Sequence, residues 1–498
     1  MNYTSTRGNH PLLNSAQVIN LGLAPGGGLF VPESYPYCAP ERYIGELSYQ
    51  QIARSVLELL LTDYSPAELQ QCIAAAYNLS TFDTPAVVEM VTLGNGRSVL
   101  ELWHGPTAAF KDVALQIMPH LLANAKKKTG NTQHTVILVA TSGDTGKAAL
   151  EGFCDAPGIS IIVFYPHGGV SEMQRLQMVT TGGSNTDVVA VRGNFDDCQT
   201  GVKKLFADEE LRWKLMGRSI ELSSANSINW GRLCPQIVYY FAAYADLVRQ
   251  GTIASGDRID FAVPTGNFGN ILAAYYAKRM GLPVGKLICA SNKNRVLADF
   301  FETGTYNRER EFHRTNAPSM DILISSNLER FLFEMCGRDH EKITGWYRDL
   351  AETGTFTVDD ATRAAIRTEI TGGWVDEDEV LATIKKVYTE KGYVLDTHTS
   401  VAVALVESLG PGTATTVIAS TASPYKFSVD VLGALEDTVS KDEFVCVDRI
   451  AEISGKPVHR ALSDLGARPV RHNAVIDIDA MKEHVIQYIE KNVFSITK

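Results

Sequence analysis

Short, continuous apolar runs alternate with longer segments of helical periodicity along most of the chain. The runs HTVILVA (134–140), ISIIVFY (159–165) and TTVIAS (415–420) each lead into a stretch rich in glycine and small polar residues and then into a helical pattern. Continuous apolar strands that alternate with helices are typical of parallel sheets whose two faces are both covered. The pattern therefore predicts an α/β fold, with loops at the carboxyl ends of the strands available for ligands.

Composition narrows the class of protein. The chain has 498 residues, 45% hydrophobic and 21% charged, with a net charge of −11. An acidic balance without a long basic block argues against nucleic acid or a membrane as partner. The eight cysteines form no CxxC pair, so we expect reduced thiols and no metal site. The start, MNYTSTRGNHPLL, lacks the apolar core of a signal peptide, so we expect a cytoplasmic protein.

One lysine lies in an unusual setting. In HGPTAAFKDVALQ (104–116), Lys111 is surrounded by apolar and small residues. A lysine held away from water either loses its proton or finds a partner, and a desolvated amine is what Schiff-base chemistry requires. The alternative is a lysine whose ammonium group extends to the surface.

A glycine-rich turn follows another predicted strand. In PTGNFGNILAAYY (264–276), Gly266 and Gly269 permit close backbone approach, and a helix predicted to begin near Ile271 directs its free N–H groups at the turn. Such a helix start favours an anion, best a phosphate. The alternative is an ordinary strand-to-helix turn.

A second turn of this kind is TSGDTGKAA (141–149). Its glycines are too close together for a nucleotide P-loop, and an alanine follows Lys147, so we exclude a kinase or ATPase. The turn could clamp a carboxylate or phosphate, or it could be a helix start capped by Ser142 or Asp144. Two anion turns and one desolvated lysine together indicate pyridoxal 5′-phosphate as cofactor. A non-catalytic phosphate- or nucleotide-binding module remains the alternative.

Seven ordered segments resemble those of threonine synthases, a fold-type-II pyridoxal-phosphate family. HGPTAAFKD resembles the cofactor-lysine motif of this family. The other segments are YTSTRG, TSGDTGKAA, SANSINWGRLCPQ, VPTGNFGN, LDTHTSVAVA and STASPYKF. The resemblance covers nearly the whole chain and is closest to the longer subgroup. It implies a fold like that of the tryptophan synthase β subunit, with an N-terminal domain in front.

The resemblance also implies roles for individual residues. Lys111 would form the Schiff base, Phe110 and Asn267 would flank the cofactor, and Thr421 would contact the pyridine nitrogen. The cofactor phosphate would be held by Gly266, Asn267, Phe268, Gly269 and Asn270. Candidate substrate-binding residues are Ser142, Gly143, Asp144, Thr145, Asn226, Ser227, Asn229 and Arg232. Arginine matches phosphate bidentately, although Arg232 could equally form a structural ion pair.

The expected reaction converts O-phospho-L-homoserine and water to L-threonine and phosphate. The nearest alternative is a phospho-lyase of the same fold that releases a 2-oxo acid, ammonia and phosphate. We predict an N-terminal domain (1–95), a large cofactor domain (96–134 and 236–498, with a helical insertion near 310–390) and a small substrate-loop domain (135–235). A monomer or homodimer is expected.

Overall fold

A computed structural model describes residues 1–43, 45–410, 412 and 414–493. The strands in this part of the chain are β1 (Tyr3–Ser5), β2 (Phe30–Pro32), β3 (Glu89–Gly94), β4 (Arg97–Glu101), β5 (His134–Ala140), β6 (Ile159–Pro166), β7 (Thr186–Arg192), β8 (Ile220–Ser223), β9 (Ile259–Pro264), β10 (Val284–Ser291), β11 (Thr305–Asn307), β12 (Thr355–Thr357), β13 (Ile370–Trp374), β14 (Thr415–Ser420) and β15 (Ala474–Asp477).

The α-helices of the same residues cover both main sheets. They are α1 (Ser15–Leu21), α2 (Tyr49–Leu60), α3 (Pro66–Ala76), α4 (Lys111–Leu115), α5 (Met118–Thr129), α6 (Asp144–Phe153), α7 (Glu172–Val179), α8 (Phe195–Ala207), α9 (Glu209–Met216), α10 (Trp230–Arg249), α11 (Gly269–Arg279), α12 (Val296–Thr303), α13 (Leu328–Met335), α14 (His340–Thr353), α15 (Asp360–Glu369), α16 (Glu377–Lys391), α17 (Thr397–Ser408), α18 (Ser428–Leu435), α19 (Glu443–Ser454) and α20 (Met481–Asn492).

Two sheets carry the architecture. The larger has the order β13-β10-β9-β14-β4-β3 and is parallel except for the edge pair β3–β4. The smaller has the order β15-β7-β6-β5-β8 and is parallel throughout. The predicted α/β fold with parallel, helix-covered sheets is confirmed. Every residue of β6 is buried, as expected for a strand with helices on both faces.

The chain returns to the smaller sheet at its C-terminal end. Strand β15 pairs with β7, and Met481, Val485 and Ile489 of α20 pack in the core of that sheet. This pairing moves the last strand and helix from the predicted large domain to the small one. No local pattern shows this, because a short strand such as AVID fits either sheet. Residues 494–498 of the predicted large domain lie outside the described residues.

The segment predicted as a helical insertion is only partly helical. It contains α13 to α16, but β12 pairs with β11, and β13 forms the edge of the larger sheet. The segment is therefore partly built into the main sheet. Helix α11 begins at Gly269, two residues before the predicted start.

The carboxyl ends of β4, β9 and β14 lie side by side in the larger sheet. The segments that leave them lead to Lys111, to the 266–270 turn and to Thr421. Within the described residues, the search for a helix long and apolar enough to cross a membrane found none.

Candidate active site

Lys111 is the first residue of α4, just beyond the carboxyl end of β4. The segment in front of it is tied to the segment after β14, because Phe110 N–H donates to Thr421 O at 2.9 Å and Ser423 N–H donates to Ala108 O at 3.1 Å. These bonds anchor the segment that leads into the lysine. Its side chain is only 11% exposed, which excludes an ammonium group that extends freely to the surface.

The electrostatic surroundings of Lys111 bring its pKa close to physiological pH, so that a substantial fraction of the amine is neutral. Burial lowers the pKa of Lys111 to about 8, opposed by the charge of Asp144 and reinforced by Lys426 and Arg232. Lys111 Nζ lies 3.5 Å from Asp144 Oδ2 and 5.8 Å from the ring centre of Phe110. A lysine in this state can act as a nucleophile and as a base.

The carboxylate of Asp144 contacts four polar side chains of the site, including Lys111. Its Oδ2 accepts from Ser319 Oγ at 2.6 Å, and its Oδ1 accepts from Gln174 Nε2 at 3.0 Å and lies 2.9 Å from Lys426 Nζ. Burial alone would raise the pKa of Asp144, but Lys426 and Lys111 hold it well below its usual range. The carboxylate therefore stays ionised, attracts the two ammonium groups and repels an anion.

We call residues 141–145, from Thr141 to Thr145, the acidic turn. Its N-cap residue is Gly143, with φ +132° and no side-chain cap, so the predicted capping by Ser142 or Asp144 is wrong. Thr141 Oγ1 accepts from the amides of Gly143 and Gly146 instead, each at 2.9 Å. The threonine hydroxyl thus occupies two of the N–H groups that could have bound a ligand.

We call residues 266–270, from Gly266 to Asn270, the cradle turn. The N–H groups of these five residues donate to no acceptor among the described residues, although they sit at the start of α11. Phe268 adopts φ +65° and is fully buried. A non-glycine residue in this conformation costs energy and is often found at functional sites. Unpaired amides at a helix N-terminus form a binding site for phosphate.

The residues of the second predicted substrate segment, 226–232, have different surroundings in the structure. Asn229 caps α10, and its Nδ2 donates to Ile19 O at 3.0 Å, so its side chain is fully engaged. Ser227 Oγ accepts from Asn327 Nδ2, which also donates to Asn267 O in the cradle turn. Asn226 is exposed. Ser227 therefore lies beside the cradle turn, whereas Asn229 serves the fold.

Arg232 is a buried cation. It is 5% exposed, and its Nη1 donates to Ala225 O at 2.5 Å. Within the described part of the chain it forms no salt bridge with a carboxylate, which disfavours the structural ion pair. Burial lowers the pKa of Arg232 to about 10, so the guanidinium keeps its charge at neutral pH. A buried, charged guanidinium without an acid partner is suited to an anionic ligand.

The segment around Ser319 connects the two turns. Ser319 Oγ contacts Asp144, while a Cβ placed on Gly266 would lie 3.2 Å from Ser319 O. His398 Nε2 accepts from Ser319 N–H at 3.1 Å and so helps to fix this segment. Of the predicted residues in the acidic turn, Asp144 faces Lys111, while Ser142 is exposed and Thr145 is half-buried.

Sequence reasoning missed Lys426, Ser319 and Gln174. All three bond Asp144, and they lie 282, 175 and 30 residues away from it along the chain. Of the three residues, only Lys426 could have been singled out from the sequence. It is a lysine in the mostly apolar and small-residue segment STASPYKF, the same kind of setting that singled out Lys111.

Known families match the chain in two consecutive parts. Residues 2–77 match the family model described as threonine synthase N terminus, and residues 99–421 match that described as pyridoxal-phosphate dependent enzyme. A threonine synthase of Schizosaccharomyces pombe is 36% identical over 92% of this chain and 96% of its own length. The chain belongs to the threonine synthase family.

Two further comparisons support membership in the threonine synthase family. A crystal structure of PLP-bound threonine synthase from Brucella melitensis has a TM-score of 0.87 and 38% identity, covering 98% of this chain and 99% of its own. A human protein named threonine synthase-like 1 is 38% identical over 94% of this chain. The chain spans only 65% of the length of that human relative.

The residues present suit pyridoxal phosphate, the cofactor of this family. The cradle turn offers a phosphate five amides that have no acceptor among the described residues, and Lys111 offers a buried amine with a lowered pKa. Thr421 Oγ1 forms no hydrogen bond within the described residues and so remains able to contact a ring nitrogen. A phosphate cradle, an amine and a neutral hydroxyl form the donor set that this cofactor requires.

Proposed function

We propose that this chain is a threonine synthase, a carbon–oxygen lyase that converts O-phospho-L-homoserine and water to L-threonine and phosphate. The observation that carries the proposal is a buried amine, Lys111, accompanied by two groups suited to anions, the amides of the cradle turn and the buried guanidinium of Arg232. One of them serves a cofactor phosphate, and the other remains for a phosphorylated substrate. The relatives named threonine synthase support the choice of substrate.

For the cofactor, we propose that Lys111 forms the covalent link and that the amides of Gly266 to Asn270 hold the phosphate. Phe110 and Asn267 would flank the cofactor, and the hydroxyl of Thr421 would contact the pyridine nitrogen. When bound, pyridoxal phosphate supplies an electron sink that makes a proton on the substrate Cα acidic. A neutral hydroxyl at the ring nitrogen makes this sink weaker than a carboxylate would.

For the substrate, we propose that Arg232 and Ser227 bind the phosphate, with Asn226 at the edge of the site. The amides and hydroxyls of Ser142 and Thr145 remain candidates for the substrate carboxylate, whereas Gly143, whose amide donates to Thr141 Oγ1, shapes the turn between them. Asp144 has a different part, because its four polar contacts come from donors and its charge disfavours an anion nearby. Asn229 supports this segment from behind.

For the chemistry, we propose that Lys111 carries the protons. Its neutral amine removes the proton from Cα and passes it on within the site, so that Cα stays without this proton while the amine removes another from Cβ and phosphate leaves from Cγ. Water then adds at Cβ, and protons return to Cα and Cγ. Asp144, 3.5 Å from Lys111 Nζ, stabilises each ammonium that forms. Ser319 and Gln174 hold this carboxylate in place.

The remaining expectations concern the type of substrate, the oligomeric state and the cellular compartment. A small-molecule substrate follows from the proposed reaction. We further propose a cytoplasmic monomer or homodimer that acts without a nucleic acid or a membrane. Size measurement in solution and localisation of the tagged full-length protein test these two points.

The decisive experiment is product analysis. The purified protein is incubated with O-phospho-L-homoserine, and phosphate, amino acids and 2-oxo acids are quantified. Threonine and phosphate released in equal amounts support the synthase. A 2-oxo acid with ammonia would overturn it in favour of the phospho-lyase and retain the cofactor chemistry. Lys111→Ala is the matched control: it should keep the fold and lose both turnover and the visible absorbance of the bound cofactor.

A further inference from the structure

A second lysine is buried in the candidate active site. Lys426 lies in the 3₁₀ turn Pro424–Phe427, five residues after Thr421, and its side chain is fully buried. Its Nζ lies 2.9 Å from Asp144 Oδ1 and donates to Thr107 O at 2.8 Å. An ammonium group is rarely buried unless it is paired, and this one is paired with the carboxylate that also faces Lys111.

The two lysines share one carboxylate, each through a different oxygen. Lys426 contacts Oδ1 at 2.9 Å, whereas Lys111 lies 3.5 Å from Oδ2. Asp144 is therefore closer to Lys426, to which no chemical role has been assigned, than to Lys111. If Lys426 were absent, Lys111 would no longer share the charge of Asp144 with a second cation, and a carboxylate that faces one lysine raises the pKa of that lysine more strongly.

We propose that Lys426 is a positioning residue of the reaction: it holds Asp144 through one oxygen and, with its own positive charge, keeps the Lys111 nitrogen able to release a proton. The inference rests on the proposed role of Lys111 as the lysine that links the cofactor. It requires no contact between Lys426 and substrate.

The charged groups that face Lys111 set the direction of each effect. They are Asp144 from α6, Lys426 from the 3₁₀ turn and Arg232 from α10. Asp144 favours a protonated nitrogen at Lys111, and the two cations disfavour it. Removing the charge of Lys426 should therefore raise the pH at which the Lys111 nitrogen loses its proton, and removing the charge of Asp144 should lower it.

The test uses purified holoenzyme and the absorbance of its bound cofactor, titrated with pH. The band reports the protonation of the nitrogen that joins Lys111 to the cofactor, without any turnover. Lys426→Gln keeps a donor for Thr107 O and removes the charge. We expect its titration midpoint to rise by roughly one pH unit or more. Lys426→Arg, which keeps the charge, should restore the midpoint, and Asp144→Asn should lower it.

The matched control is Lys126→Met. Lys126 is also a buried lysine with a carboxylate nearby, Glu221 at 3.6 Å, but it lies on α5 and is not among the charges that act on Lys111. Its removal should leave the midpoint in place. A titration curve for Lys426→Gln that matches the unmodified protein would overturn the proposal, since a purely structural lysine would not move it.

A double variant keeps the test valid if Lys426→Gln does not fold. Asp144→Asn combined with Lys426→Gln leaves neither charge of the pair unpaired, and its midpoint should lie above that of Asp144→Asn alone. Equal midpoints would count against Lys426. A band that persists in Lys111→Ala would instead refute the assignment of Lys111, so the two failures are distinguishable.

Discussion

The cradle turn and the acidic turn follow the same local plan, in which a parallel strand ends in a short glycine-containing turn and a helix begins. In the cradle turn, five amides at the start of α11 have no acceptor in the part of the chain that the structure describes. In the acidic turn, Thr141 Oγ1 takes up the amides of Gly143 and Gly146, and Asp144 is directed at two lysines. The amides of the cradle turn are thus available to an anion, whereas the carboxylate of the acidic turn is directed at cations.

The difference shows that a glycine-rich turn before a helix does not by itself make an anion site. What decides is whether a side chain nearby satisfies the amides first. A hydroxyl two residues before Gly143 is enough to do so. The following predictions test this contrast, from the largest expected effect to the smallest.

The largest effect should come from Gly143→Ala in the acidic turn. Gly143 has φ +132°, and an added Cβ would lie 2.4 Å from Gln174 Cδ, which must then leave Asp144. We expect the free energy of unfolding in urea to fall by about 3 kcal/mol. Gly345→Ala, in open space on α14, is the control and should raise it by about 0.5 kcal/mol. Equal stability of the two variants would contradict the strained turn.

The second prediction concerns pH. Because the pKa of Lys111 is about 8, only the neutral fraction of the amine can attack the cofactor aldehyde. The rate at which protein stripped of cofactor takes up pyridoxal phosphate should fall roughly 50-fold from pH 8 to pH 6, equivalent to about 2.3 kcal/mol. Gly266→Ala should keep the midpoint of this profile, since amides do not titrate. A midpoint near 10 would contradict the desolvated lysine.

The third prediction removes the hydroxyl that distinguishes the turns. Thr141→Val keeps nearly the same shape but leaves the buried amides of Gly143 and Gly146 without a partner. We expect a loss of about 2 kcal/mol in unfolding free energy, with the affinity for pyridoxal phosphate unchanged. Thr344→Val, on an exposed position of α14, should change stability by less than about 0.5 kcal/mol. An unchanged Thr141→Val would mean that the hydroxyl does not satisfy these amides.

The smallest effect should come from Gly266→Ala in the cradle turn. The added Cβ would lie 3.2 Å from Ser319 O and 3.3 Å from Met320 Cα, so backbone must move by a few tenths of an ångström. We expect about tenfold weaker binding of pyridoxal phosphate in equilibrium dialysis, near 1.4 kcal/mol, with little change in unfolding. An unaltered dissociation constant would show that the cradle tolerates this shift.

The sequence by itself determined the α/β class, the strands that lead into the site, and the lysine and glycine turns that form its centre. These features are local, because the period of apolar residues and the conformational freedom of glycine act over a few neighbouring positions. HTVILVA, ISIIVFY and TTVIAS all lie in β5, β6 and β14 as predicted.

Only the tertiary structure decided how charge is distributed among these parts. The partners of Asp144 come from distant segments, and Arg232 is a buried cation with no carboxylate partner among the described residues. Strand β15 joins a sheet formed some 300 residues earlier. Burial and the neighbours across the fold set whether an amide is free or a lysine neutral. A sequence specifies these contacts only through the complete fold, so no single motif reveals them.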